Sequence, residues 1–277
     1  MNILLAEPDK SKSWGKNNQY IGLLRIGAYH KAAGDSVEYI RGCGRPKRKP
    51  DLVYVTSMFT YWYKSAWEAV RYYKKIFPKA KVMLGGIYAT LCPDHARQSG
   101  ADEVMAGQHP QARFYAPDPT LLPEKPDFVY SMTGYGCPNS CSYCATHLLY
   151  GSGIRQVPYK DVFEELQLQK NRGFKKIYFG DDNLGYNAER HLVPLCELII
   201  KNKLKMEFAV PGGMQASHVT EDLAKLMWNA GFRKVSTAIE SINEEVLLKM
   251  GRKNNSTKGD LVNCIDNFES AGFKRNE

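Results

Sequence analysis

No apolar stretch in these 277 residues approaches the roughly 20 that a bilayer-spanning helix needs. The opening run Met-Asn-Ile-Leu-Leu-Ala meets an acid at Glu7, too early for a secretory signal. Membrane and secreted classes are thereby excluded. A disulfide framework is not expected either: seven cysteines are an odd number, which argues for a reducing compartment, and the cytoplasm is the expected location. Acidic excess is absent, since 38 Lys+Arg stand against 29 Asp+Glu for a net charge of +9. What remains is 43% hydrophobic and 24% charged, the balance of a globular chain with material for one large domain or two ordinary ones.

The positive charge is unevenly placed. Residues 1–120 hold a net +8 and the rest a net +1. Arg41, Arg45, Lys47, Arg48 and Lys49 form one short run that could attract a polyanion such as RNA. Gly42, Gly44, Pro46 and Pro50 punctuate the run, and a solvated loop is the preferred reading. Nucleic acid stays a candidate partner through this run alone.

Strand and helix patterns alternate through the first hundred residues. Strands are expected at 2–6, 36–40, 51–56, 81–84 and 102–105, and helices at 20–33, 64–77 and 92–99. Such alternation predicts a doubly wound, Rossmann-like parallel sheet over residues 1–112, with ligands met at the carboxyl ends of its strands. A proline-rich linker is expected at 113–126. Residues 127–277 contain a repeat: Gly173-Phe174-Lys175-Lys176, Gly231-Phe232-Arg233-Lys234 and Gly272-Phe273-Lys274-Arg275 each follow an amphipathic helix and lead toward a strand. Strands are expected at 127–133, 175–179, 205–210 and 233–239, with a helix at 188–203 between the middle pair. The series predicts a partial, open (β/α) barrel with its site at the carboxyl ends of the strands. The third repeat announces a fifth strand that the sequence does not supply, so the barrel is expected to be truncated, with an edge to be covered.

Chemistry concentrates where strand 127–133 runs out. Cys137, Cys141 and Cys144 follow as C-x3-C-x2-C in a loop with Gly134, Gly136 and Pro138. Three thiolates this close suit an iron–sulfur cluster or zinc. His147 could complete a Cys3His zinc site, the rival reading. Cys196 and Cys264 fall on apolar helix faces and read as core, while Cys43 and Cys92 have no partner at metal spacing.

The cysteine spacing, with Tyr143 just before the last thiol, resembles the signature of the radical S-adenosylmethionine (radical SAM) enzymes, over about residues 127–277. The resemblance implies a 4Fe–4S cluster on Cys137, Cys141 and Cys144, with a fourth iron left open for the amino and carboxylate groups of S-adenosylmethionine. It implies reductive cleavage to a 5′-deoxyadenosyl radical for C–H functionalisation, and a one-electron reductant such as flavodoxin or ferredoxin. Gly180-Asp181-Asp182 ends the second barrel strand where members carry a short Gly/acid motif near the substrate's ammonium group, and the three are expected to contact the cofactor; a helix N-cap is the alternative role. Ala238-Ile239-Glu240-Ser241, with Leu247 and Met250-Gly251-Arg252, resembles the segment around the fourth strand. Glu240 is expected to point into the mouth as a catalytic and cofactor-binding carboxylate, and Gln215 is a further contact.

Residues 1–112 resemble the cobalamin-binding-type domain that precedes the barrel in one subclass. Gly85-Gly86-Ile87-Tyr88-Ala89-Thr90 matches its Gly-Gly-x-His-x-Thr turn with Tyr88 in place of His, and Thr56-Ser57 supply a hydroxyl pair. None of the six histidines stands in an Asp-x-His-x-x-Gly loop, so cobalamin is an expectation without a protein imidazole ligand. The aromatic run Phe59–Tyr63 could wall a planar ligand, although packing is the preferred reading. The expected activity is methyl transfer to an unactivated centre, or a related modification, on a small-molecule or peptide substrate. A non-catalytic cluster- or zinc-binding module and an RNA-modifying enzyme are the alternatives.

Overall fold

The computed structural model describes residues 1–8, 15–251 and 257–275. The chain divides into two compact units, Met1–Asp127 and Phe128–Glu277.

In the first unit, β1 (Asn2–Glu7), β2 (Ser36–Arg41), β3 (Leu52–Thr56), β4 (Lys81–Gly85) and β5 (Glu103–Val104) form one sheet in the order β2-β1-β3-β4-β5. Every pairing is parallel. Helices α1 (Ile21–Ala32), α2 (Tyr63–Ile76), α3 (Ile87–Leu91) and α4 (Pro93–Arg97) connect the strands. Successive residues of a strand serve opposite faces: Leu4, Val53 and Val82 pack with Ala66, Val70 and Tyr73 of α2, while Ile3, Leu5 and Tyr54 pack with Leu23, Leu24 and Ile26 of α1. Strand order reverses between β1 and β3, which puts the ligand-binding crevice of such a fold at their carboxyl ends.

The segment expected to be a linker, 113–126, is folded onto this unit. Leu121 and Leu122 join the α1 core, and the missing Cβ of Gly27 is what lets Leu121 approach the helix. Asp118 is buried, accepts from Thr120 N and Oγ1, and takes the Lys31 ammonium at 2.7 Å. The unit therefore continues past residue 112 to Asp127. The segment's four prolines signalled the lack of regular helix or strand, but such backbone can also cover a core. In the basic run, Arg41 donates to the carbonyls of Gly15, Lys16 and Asn18 and Arg48 to the Ser36 hydroxyl, while Arg45, Lys47 and Lys49 are exposed.

In the second unit, β6 (Val129–Ser131), β9 (Lys176–Phe179), β10 (Glu207–Met214) and β11 (Phe232–Thr237) form a parallel sheet in the order β11-β10-β9-β6. Helices α6 (Tyr159–Asn171), α7 (Leu192–Lys201), α8 (Glu221–Ala230) and α10 (Lys258–Ala271) supply the apolar stripes that pack on it. This is the expected open βα series. It also holds an element the sequence reading missed: β7 (Gly134–Cys137) and β8 (Gly153–Gln156) pair antiparallel, with α5 (Thr146–Tyr150) between them. A short helix, α9 (Glu244–Lys249), precedes α10.

The repeat has one physical meaning at each occurrence. Gly173, Gly231 and Gly272 take positive φ after the helices, and Phe174, Phe232 and Phe273 then turn into the core. Phe179, Phe208 and Phe232, from three adjacent strands, lie 5.2–5.6 Å apart between ring centres. Among the described residues β11 pairs only with β10; Val235 packs at the core margin and Ile239, beyond the strand, is 44% exposed. Phe273–Arg275 form no strand, and the rest of the announced fifth strand lies outside the described residues.

Gly231 has φ 110°, and a Cβ there would overlap the Met206 carbonyl. Gly100, also at positive φ, has open space around it. Gly231→Ala should therefore lower unfolding free energy by about 2–4 kcal/mol and Gly100→Ala by only about 1 kcal/mol, read as urea midpoints at unchanged slope. Equal losses would show that the close approach at Gly231 carries no weight.

Candidate functional site

The three cysteines sit at the tip of the β7–β8 hairpin. Cys137 closes β7 opposite Gly153, and Cys141 and Cys144 follow in the connection to α5. Backbone crowding forces part of this design: a Cβ on Gly136 would lie 2.5 Å from the Gly153 carbonyl. Cys141 is buried, whereas Cys137 and Cys144 are half-buried.

A loop rich in Gly, Pro, Asn and Ser has no core of its own, and this one is tied down from outside. The acid pair after β9 does most of that. Asp181 is buried and accepts from Thr133 N at 3.0 Å and Thr133 Oγ1 at 2.6 Å, fixing the bend between β6 and β7. Asp182 accepts from Gly136 N at 3.0 Å and from Thr146 Oγ1 at 3.1 Å. Beyond β10, buried Gln215 accepts from Asn139 Nδ2 at 3.3 Å and donates to Ser217 Oγ at 3.2 Å. Beyond α9, the Met250 carbonyl receives Ser142 N at 2.9 Å, and Gly251 leaves room for the Ser140 carbonyl. Arg252, matched with this segment in the sequence, lies outside the described residues.

These contacts tie Asp181 and Asp182 to the cysteine hairpin. Neither acid caps a helix; both hold the cysteine hairpin at the carboxyl end of β9. Gln215 is carried there by an irregularity in β10, whose register against β11 slips between Val210 and Met214 around Pro211-Gly212-Gly213. Glu240 is exposed on the bend after β11, with φ 57°. A left-handed glutamate costs on the order of 1–3 kcal/mol, the sort of strain found at functional positions. Tyr143 is 52% exposed on the loop.

Sequence reasoning did not single out four further groups. Asn183, after the acid pair, is buried and hydrogen-bonded to the Cys137 sulfur; its Oδ1 has no partner among the described residues. Asn139 reaches the same sulfur through its backbone N–H. Thr146 Oγ1 lies 3.2 Å from Cys144 Sγ. His191 is buried and bonded to the Thr133 backbone. Only the acid-Asn run and the hydroxyl two residues past the last cysteine were visible as signals, and neither is decisive without the hairpin.

Electrostatics separate the groups. Burial pushes the Cys137 thiol up, against the pull of its Asn139 and Asn183 donors. Burial raises Asp181 to about 7, with the Thr133 and Gly134 donors working the other way. Burial lowers His191 and His218. Among the described residues no three His, Cys, Asp or Glu side chains converge closely enough to hold one ion, the three cysteines and His147 included. Tetrahedral zinc with bonds near 2.3 Å needs sulfurs about 3.8 Å apart. A multi-iron cluster instead meets each cysteine at a separate iron and takes hydrogen bonds at its sulfurs. Half-buried thiols with Asn139, Asn183 and Thr146 beside them fit the cluster.

In the first unit, Thr56-Ser57 and Gly85-Gly86 end β3 and β4 as one tight junction. Gly86 has φ 93°, and a Cβ there would lie 2.5 Å from Thr56 Oγ1 and from the Ser57 carbonyl. Ser57 is fully buried and donates to the Phe59 carbonyl at 3.2 Å. Tyr88 is buried, with its hydroxyl bonded to Trp67 Nε1 at 3.0 Å and His95 Nδ1 at 2.8 Å. Phe59 stacks on Tyr61 and meets Trp62 edge-on, so the aromatic run packs largely on itself.

A parallel βα unit with a three-cysteine hairpin at the carboxyl ends of its strands defines a class of cluster-binding barrel. A family model, the radical SAM superfamily, matches residues 131–276, more than half the chain. The chain belongs to the radical SAM superfamily. It is 27% identical over 220 residues to the threonylcarbamoyladenosine tRNA methylthiotransferase MtaB of Thermotoga maritima, covering 69% of this chain and 49% of that protein. It is 23% identical over 210 residues to the bacteriochlorophyllide d C-12(1)-methyltransferase of Chlorobaculum tepidum, covering 63% and 45%. The chain thus spans about half the length of these curated relatives. Among solved structures, the radical S-adenosylmethionine methyltransferase TsrM of Kitasatospora setae, with cobalamin and a [4Fe-4S] cluster bound, aligns with a TM-score of 0.77 at 16% identity. That alignment covers 98% of this chain and 68% of TsrM, and it shows the shared α/β fold.

If Asp181 takes up its proton near pH 7, its raised value has a definite consequence. Native protein then binds more protons than unfolded chain between the ordinary carboxylate range and about 7. Stability should fall with rising pH across that window, approaching about 1.4 kcal/mol per pH unit, and level off above it. Asp181→Asn should flatten that slope in denaturant titrations run from pH 4 to 8. The same slope in the variant would show that Asp181 is not its source.

Proposed function

We propose that this chain is the cluster-bearing part of a radical SAM enzyme that transfers methyl or methylthio groups or performs a related C–H modification. Cys137, Cys141 and Cys144 hold a 4Fe–4S cluster, and S-adenosylmethionine lies against Tyr143, Gly180, Asp181, Asp182, Gln215 and Glu240. The observation that carries the reading is the cysteine hairpin pinned by Asp182, Gln215 and Met250 at one end of a parallel βα series. When bound, the cluster and the sulfonium cofactor supply one-electron bond cleavage, which reaches carbon centres that offer a general base no acidic proton.

The residues of the chain have separate tasks in this scheme. Asp182 presents a carboxylate at the mouth, the group an ammonium needs. Asp181 and Gln215 are buried and hold the loop in register. Glu240, kept in its left-handed bend, is the carboxylate read as catalytic. The first unit is read as a cobalamin carrier through the junction of Thr56, Ser57, Gly85 and Gly86. The unit's histidines have partners of their own: both ring nitrogens of His30 face Asp35 and Tyr54, His95 Nδ1 faces the Tyr88 hydroxyl, and His109 Nδ1 accepts backbone N–H groups. The substrate is a small molecule or peptide, the electron comes from a flavodoxin- or ferredoxin-type donor, and the setting is the cytoplasm. No described helix is long and apolar enough to cross a membrane.

A second reading, RNA modification, draws on exposed Arg45, Lys47 and Lys49. It requires RNA affinity that falls steeply with salt and with neutralisation of those three cations.

Anaerobically reconstituted protein should be brown and should release 5′-deoxyadenosine from S-adenosylmethionine under reduction. Cys141→Ala should lose both iron and nucleoside release. Glu240→Gln should keep its iron and slow release by at least about tenfold, the loss of about 1.4 kcal/mol. Cofactor cleavage by the Cys141→Ala protein would overturn the assignment.

A further inference from the structure

The Thr146 hydroxyl stands between a cysteine sulfur and a carboxylate. Cys144 Sγ donates to Thr146 Oγ1 at 3.2 Å, and Thr146 Oγ1 donates to Asp182 Oδ1 at 3.1 Å. With Cys144 as a thiol the chain of donors is complete, because each of the two bonds has its own proton. A cysteine that ligates iron does so as thiolate and brings no proton. The hydroxyl then has one proton and two anionic acceptors, and it can satisfy only one of them at a time. Among the described residues Asp182 has one other donor, Gly136 N on Oδ2, which leaves Oδ1 to the hydroxyl.

We propose, on the reading that Cys144 ligates a cluster and Asp182 faces a cationic ligand, that Thr146 is a positioning residue that couples the two. With Asp182 unoccupied, its carboxylate holds the hydroxyl and the Cys144 sulfur goes without a donor. When an ammonium group engages Asp182, the carboxylate releases its claim and the hydroxyl turns to the sulfur. The hydroxyl keeps its proton throughout and changes only the acceptor it faces. A hydrogen bond to a ligating sulfur draws electron density from the cluster and makes it easier to reduce. Linkage makes the effect reciprocal: the reduced cluster, a better acceptor at Cys144, frees Asp182 and strengthens binding of the cation. Binding and electron uptake would thus favour each other through one side chain, and an idle cluster would stay hard to reduce.

The decisive experiment needs no cofactor. Removing the competing acceptor with Asp182→Ala should hand the hydroxyl to Cys144, while the charge lost from Asp182 acts on the cluster whatever residue stands at 146. A double-mutant cycle separates the two effects. Midpoint potentials are measured by EPR-monitored redox titration of reconstituted wild type, Asp182→Ala, Thr146→Val and the double variant, with iron and sulfide content determined for each. The upward shift caused by Asp182→Ala should be larger with threonine at 146 than with valine, by about 59 mV, the one-electron equivalent of a tenfold change. Thr146→Ser should restore the full shift. Equal shifts in the threonine and valine backgrounds would overturn the relay and leave the cluster assignment standing. Wild type that binds no iron on these cysteines would overturn both. If Thr146→Val does not assemble a cluster, the same cycle is run with Thr146→Ala, and equal shifts there overturn the relay as well.

Discussion

The cysteine hairpin is too small to fold on its own terms, and the acid pair after β9 is what gives it a place. A two-stranded ribbon in isolation is marginal in water. Asp181 and Asp182 turn it into part of the barrel by accepting Thr133 N, Thr133 Oγ1, Gly136 N and Thr146 Oγ1, donors drawn from both sides of the cysteine motif. Asp181 is held at a cost, since burial disfavours its charge and no cation lies among the causes that shift it. Its three donors offset part of that cost and leave a group that titrates near 7. Asp182 is exposed, so it can serve the hairpin and still present an edge to the mouth.

The barrel behind the hairpin repeats one solution. Each helix ends in a glycine, the following phenylalanine drops into the core, and cations mark the solvated approach to the next strand. Phe179, Phe208 and Phe232 join neighbouring strands into one apolar seam. The mouth residues follow the carboxyl ends of these strands: Gly180 and the acids after β9, Gln215 after β10, Glu240 after β11. The slip in β10 around Pro211-Gly212-Gly213 is a local departure from this regularity, and it delivers Gln215 to the loop.

The features legible in the sequence were those with a period. The Gly-Phe-basic repeat announced the βα units because helix caps and buried aromatics recur at the same offset, and the cysteine spacing announced the loop. The β7–β8 hairpin was not legible. Gly134-Tyr135-Gly136-Cys137 and Gly153-Ile154-Arg155-Gln156 have neither alternation nor β-branched richness, and backbone crowding and the acid pair hold them in place of side-chain pairing. That the acid pair braces the hairpin was not legible, because its donors lie 46 and 48 residues upstream, beyond any local pattern. Segment 113–126 looked like a linker because prolines conceal the apolar pair Leu121-Leu122, whose partner is a gap at Gly27. Tyr88, standing where the resembled turn has histidine, proved to be a packed residue bonded to Trp67 and His95, which no motif comparison could reveal.

The charge at the mouth gives the last constraint. On the proposed reading, three thiolates and the Asp182 carboxylate share one edge of the unit, while the nearby cation Arg155 lies 5.9 Å from the centre of the Tyr135 ring, over its face. Adding an electron to such a site is unfavourable until positive charge arrives, because unscreened anions in a half-buried setting repel further negative charge. S-adenosylmethionine brings a sulfonium and, before its amino group meets the open iron, an ammonium, against a single carboxylate, so it arrives as a net cation. A site that is anionic by construction therefore selects a cationic cofactor and links electron uptake to its presence. The same reasoning explains why Asp182 keeps an exposed edge although it also braces the loop: a fully buried acid in its place, like Asp181, would rise toward neutrality and lose the charge on which that selection depends.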